Sequence, residues 1–99
     1  MRYGVYQIKI DAFSPANVRD AYMDAMMGRA ARGLAENLYV KVAEIEANDL
    51  DDVFDIGNIG PEENITRIGR MSSVSVGNII EDAEGKRFVV AGIGFEEIV

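Results

Sequence analysis

The sequence predicts an α+β fold, a mainly antiparallel sheet of about four strands with one long helix packed on a face and one short helix. Three observations carry that expectation. Segments 2–10, 38–45, 78–82 and 87–92 are rich in β-branched and aromatic residues. Between the first two, apolar residues recur with helical period. The stretch from Arg70 to Val99 is punctuated by glycines in the manner of a hairpin. With 99 residues, 48% of them hydrophobic, the chain is one domain, 1–99.

In chain order, Tyr3, Val5, Ile8 and Ile10 alternate through the first strand, with an irregularity near Gln7. Ser14-Pro15 starts a helix: the serine accepts from first-turn amides and proline suits the first helical position. Val18, Ala21, Tyr22, Ala25 and Met26 form its apolar stripe, and Gly33 is the expected C-terminal cap, giving one helix over 15–32. Gly28 within it points to close packing or a kink. Leu38, Val40 and Val42 alternate in the second strand. Asn48 is the expected cap of a short helix over 49–56, anchored by Leu50, Val53 and Phe54. Ser73–Val76 alternates polar and apolar, a turn at Asp82–Gly85 links the last two strands, and Gly92 and Gly94 break the chain before Phe95 and Ile98. The expected core is Val5, Ile8, Val18, Tyr22, Met26, Val40, Val42, Val53, Phe54, Ile79, Val89 and Phe95.

The composition excludes much chemistry. There is no cysteine and no histidine, so thiolate chemistry, disulfides and the usual neutral-pH base are ruled out. The acidic turn fails as a calcium loop: counted from Asp49, Val53 stands fifth, Phe54 sixth and Gly60 twelfth. No phosphate-cradling glycine motif is complete, and Ser72, Ser73 and Ser75 have no recognisable base. We therefore expect no enzyme activity, no cofactor and no metal. No apolar run is long enough to span a bilayer, and the N-terminus enters strand-like alternation directly, so a cytoplasmic, membrane-free protein is expected.

Net charge is −7, and it is unevenly placed. Residues 1–34 have five bases against three acids, residues 67–99 have four against five, and residues 35–66 have only Lys41 against nine acids. That middle block repels a phosphate backbone and attracts a basic surface. The expected partner-binding residues are accordingly Glu44, Glu46, Asp49, Asp51, Asp52, Asp55, Glu62 and Glu63, with Tyr39, Phe54 or Met27 as apolar anchors.

Three segments carry a resemblance: NDLDDVFDIGN (48–58), MSSVSVGNII (71–80) and FVVAGIGFEEI (88–98). Over residues 45–99 the chain resembles the YodL-like small proteins of phages, plasmids and integrative elements. It departs from their pattern at Met71, where histidine is common, and at Asn78, where aspartate is usual. The resemblance implies a mobile-element protein in a bacterial host cell, of a kind that often acts against host defence. Three readings follow. One is an acidic inhibitor or adaptor that docks on a host protein with a basic surface, without contacting nucleic acid. The alternatives are a structural module that forms a homodimer through the Met-rich helix or an exposed strand edge, and a small-molecule- or nucleotide-sequestering domain using Arg67, Arg70 and the glycine-rich hairpin.

Overall fold

A computed structural model of the chain describes residues 1–98. Its elements are β1 (Arg2–Ile8), α1 (Ala16–Met26), α2 (Ala31–Ala35), β2 (Tyr39–Glu46), α3 (Leu50–Ile59), a 3₁₀ turn at Glu62–Asn64, β3 (Ile65–Arg67), β4 (Ile79–Glu81), β5 (Arg87–Val90) and β6 (Phe95–Ile98). The fold is α+β. The sheet has six strands in the order β3-β2-β1-β4-β5-β6, every neighbouring pair antiparallel, rather than the four expected. The additions are its two edges, β3 and β6, each three or four residues long. No helix among the described residues is long and apolar enough to cross a membrane.

Both faces of the central strand are covered. Tyr3 and Val5 join Ala43, Ile45, Ile80 and Val90 beneath Val53 and Ile56 of α3, with Val74 of the long β3–β4 connection completing that core. On the other face Ile8 packs with Ala21 and Ala25 of α1, and Ile79 and Val89 pack with Ala30 at the start of α2. Side chains alternate along a strand, so a strand buried on both sides loses its polar half, and Gln7 is the one polar side chain buried there, only 5% exposed.

The helix expected over 15–32 is two helices, divided at Gly28. Gly28 has φ +81° and its N–H donates to the Ala25 carbonyl at 2.8 Å, while Arg29 N–H donates to the Asp24 carbonyl at 2.9 Å. That is a Schellman ending, and glycine adopts the left-handed turn without a Cβ penalty. Gly33 is therefore not the cap. It lies buried inside α2, where a Cβ would come within 2.7 Å of Ile8 and Tyr39 side-chain carbons. Asn37, at φ 55°, ends α2 in the same way. Nor does Ser14 cap α1. The helix begins after Pro15 with no side-chain cap, and the Ser14 hydroxyl instead accepts from Asp11 N–H at 2.9 Å. The cap of α3 is Asp49 rather than Asn48, its carboxylate accepting from Asp52 N–H at 2.8 Å.

Three expected core residues are exposed, and three more, Val18, Tyr22 and Phe95, are half-buried. Met26 is the last residue of α1, Phe54 turns outward from α3, and Val40 lies beyond the reach of β3, whose pairing with β2 ends at Ala43. A bulge accounts for the rest of the β2 pattern. Val5 pairs with Ala43 and Tyr6 with Lys41, so Val42 is an extra residue and Val42 and Ala43 are both buried. Residues 73–76, read as strand-like, form no ladder, and Val76 already enters a turn with Gly77.

Candidate functional site

α3 starts where its sequence dictates. Asp49 caps it, and Asp51 and Asp52 lie in its first turn, where the helix dipole favours carboxylates. Val53 and Ile56 point into the core. Asp51, Phe54 and Asp55, spaced i, i+3, i+4, then share the side turned toward the β5–β6 hairpin.

Two adjoining depressions follow that side. One, of about 530 Å³, is lined by Tyr3, Asp49, Asp51, Asp82, Phe88 and Phe95 among others. The second, of about 390 Å³, is lined by Asp51, Phe54, Asp55, Val90, Gly94 and Phe95 among others. Asp51 and Phe95 belong to both, so the two form one groove with carboxylates on its rim and aromatic rings in its floor and walls. No lysine or arginine lines it. The Met1 amino group is the one cationic lining group, and it is held by the Glu46 carboxylate and the Ala47 carbonyl, each at 2.7 Å. The field is felt by the Tyr3 phenol: burial, and then the carboxylates of Asp49, Asp82 and Asp52, push its pKa upward.

The eight acids singled out from the sequence have three different fates. Glu44, Glu46 and Glu62 are spent on cations. Glu44 bonds Arg2 at 2.7 Å and Lys41 at 2.8 Å, and these bonds, Lys41's first, hold its carboxyl below the usual range. The N-terminal amino group does the same to Glu46, and Arg67 to Glu62. Asp49 and Asp52 serve the helix start, Asp52 accepting from Asn48 N–H at 2.9 Å. Asp51, Asp55 and Glu63 make no hydrogen bond or ion pair among the described residues, and Asp51 and Asp55 face the groove. The sequence reading missed Asp82, Phe88 and Tyr3 as groove residues. Each enters by long-range strand pairing, and only the turn role of Asp82 is visible locally, its carboxylate accepting from Glu84 and Lys86 N–H at 2.9 Å each.

The other candidates are scattered. Arg67 forks onto Glu62, with Nη2 at 3.2 Å from Oε1. Gly92 and Gly94 line the α3 groove, while Arg70 lies in a different depression with Lys9 and Tyr22. Tyr39 is held inside, its hydroxyl donating to the Gly77 carbonyl at 2.6 Å, and Met27 follows α1 on the opposite face of the sheet, 70% exposed. The segment carrying the 71–80 resemblance has a structural explanation. Val74 is in the core, and Asn78 Oδ1 accepts from Ser75 N–H and from the Gln7 amide at 3.0 Å each.

No group of three or more acidic side chains is gathered as a cation would require among the described residues. Comparison with family models, curated protein sequences and solved structures returns no match.

Proposed function

We propose that this protein is a non-enzymatic binding module that docks on a basic protein surface through the groove between α3 and the β5–β6 hairpin. The observation that carries this reading is the set Asp51, Phe54 and Asp55: two uncommitted carboxylates flank an outward aromatic ring on one helix side, over a groove floored by Phe95. A lysine- or arginine-rich partner segment pairs with the carboxylates, and an apolar side chain of the partner fills the space beside Phe54 and Phe95. Charge sets the encounter rate, and the buried aromatic contact sets most of the affinity. The hairpin tip adds Ile93, 96% exposed, at the groove's end. Taken with the resemblance of residues 45–99, the partner is a nucleic-acid-handling complex of a bacterial host, and the role is its inhibition.

The test is affinity capture from a bacterial lysate with the tagged protein and its D51K/D55K variant, at low and moderate salt. The expected result is one complex held at low salt, weakened as the Debye length shrinks below about 10 Å, and missing from the variant. Equal capture by both proteins rejects the groove.

A second reading has its own observation. Phe13, Met23, Met26 and Met27 are all more than half exposed, and methionine-rich surfaces adapt readily to partners. Self-association through α1 predicts a dimer by light scattering at micromolar concentration that M23K/M27K dissolves.

A further inference from the structure

We propose a second binding site, for a small phosphate monoester with a planar body, in the depression between the end of β1, α1 and residues 69–72. It is separate from the acidic groove and does not depend on the reading given for it. Most cations of this acidic chain are neutralised within the fold. Arg2, Arg29, Arg32, Lys41, Arg67 and Arg87 each pair with a carboxylate, and Arg19 donates to the Ala12 and Ser14 carbonyls. Among the described residues only Lys9, Arg70 and Lys86 have side chains with no hydrogen-bond or ion-pair partner of either kind, and Lys9 and Arg70 line the same depression.

The two converge. A Cβ built on Gly69 lies 3.3 Å from Lys9 Nζ, so the ammonium sits against the backbone that leads directly into Arg70. Ser72 and Tyr22 complete the walls, and the volume is about 360 Å³, within the range of small-ligand pockets. Asp11 also lines the depression. Its carboxylate is directed to its own turn, accepting from Phe13 N–H at 2.8 Å and the Ser14 hydroxyl at 3.4 Å, so two cations face the space against one committed acid. A guanidinium and an ammonium lining one depression suit phosphate oxygens. The Tyr22 ring and Ile10 offer a flat, apolar surface to what the phosphate carries.

The experiment is a titration of the isotope-labelled protein, followed by its amide NMR spectrum, with adenosine monophosphate and separately with inorganic phosphate. With the nucleotide we expect saturable shifts confined to residues 8–10, 22 and 69–72. Inorganic phosphate is expected to move the 69–72 amides at higher concentration only. K9Q and R70Q, both at exposed positions and checked for an unchanged spectrum without ligand, should each weaken the nucleotide about tenfold, the loss of one charge-assisted bond. Absence of saturation, or full binding by R70Q, overturns the site. Equal response to inorganic phosphate overturns its planar half.

Discussion

The Gln7 side-chain amide donates to Asn78 Oδ1 at 3.0 Å, tying the central strand to a residue 71 positions away. The same amide donates to the Ser72 carbonyl at 3.0 Å, and its oxygen accepts from Ser72 N–H at 3.2 Å and the Ser72 hydroxyl at 3.3 Å. One buried side chain therefore satisfies both ends of the 72–78 segment, which has no sheet ladder of its own. Replacement by leucine keeps the volume and strands those partners. Leaving buried polar groups unpaired costs about 1–3 kcal/mol, so Gln7→Leu should lower the urea unfolding free energy by that amount. A change below about 0.5 kcal/mol, the range of surface substitutions, would show that the segment is held without the Gln7 bonds, by Val74 and the Tyr39–Gly77 link.

Gly77 and Gly85 separate two costs of placing a side chain at positive φ. Their angles are nearly equal, +90° and +87°, but a Cβ at Gly77 lies 2.0 Å from the Ala25 carbonyl oxygen, whereas one at Gly85 meets nothing within 4 Å. Gly85→Ala should lose only the conformational part, about 1–2 kcal/mol. Gly77→Ala must also move α1 away from the 72–78 segment, so it should lose clearly more and shift the α1 amide resonances. Thermal unfolding of the two variants side by side reads the difference. Equal losses would mean that α1 yields without cost.

The acids of the middle segment divide into structural and free, and stability measurements can sort them. Asp49→Ala removes the side-chain cap of α3 and should cost about 1 kcal/mol. Asp55→Ala touches no hydrogen bond or ion pair among the described residues and should stay within about 0.5 kcal/mol. If Asp55→Ala unfolds as easily as Asp49→Ala, the carboxylate has a structural role and its assignment to docking fails.

How far the sequence could be read follows from which forces were local. The stripe Val18, Ala21, Tyr22, Ala25 and Met26 gave a helix and, except at the exposed Met26, its inward side, because period decides that. Its end was misplaced because Gly28 and Gly33 look alike in sequence, one serving as a left-handed cap and the other as a close contact with Ile8 and Tyr39. Alternation failed in β2, where the bulge at Val42 shifts the register by one and the apolar side with it. β3 and β6 fall outside the four strands expected because Ile-Thr-Arg and Phe-Glu-Glu-Ile are short, charged edge strands with little pattern to detect. The acidic docking side was legible in part. The i, i+3, i+4 relation of Asp51, Phe54 and Asp55 is local, whereas Asp82 and Phe88 reach the groove through pairings with β1 and β6 that no nearby residue announces.

Tyr39 links the stability of the fold to alkaline pH. Its hydroxyl donates to the Gly77 carbonyl at 2.6 Å, and burial pushes its pKa up from 10.0 to about 12. The phenolate is disfavoured in the folded protein, so between those values the native state binds more protons than the unfolded chain. Stability that depends on this group is fully present below pH 10 and is lost as the pH rises toward 12. Tyr39→Phe removes the titration along with the hydrogen bond. It should be less stable by about 1 kcal/mol at neutral pH and should then lose less on going from pH 10 to 12 than the parent does. The raised Tyr3 phenol is common to both proteins and cancels in the comparison. Urea unfolding at a series of alkaline pH values, with the ultraviolet absorbance of tyrosinate followed in parallel, checks both parts. Parallel stability curves for the two proteins would mean that the Tyr39 hydroxyl is in contact with solvent, and that the link from β2 to Gly77 opens before the fold does.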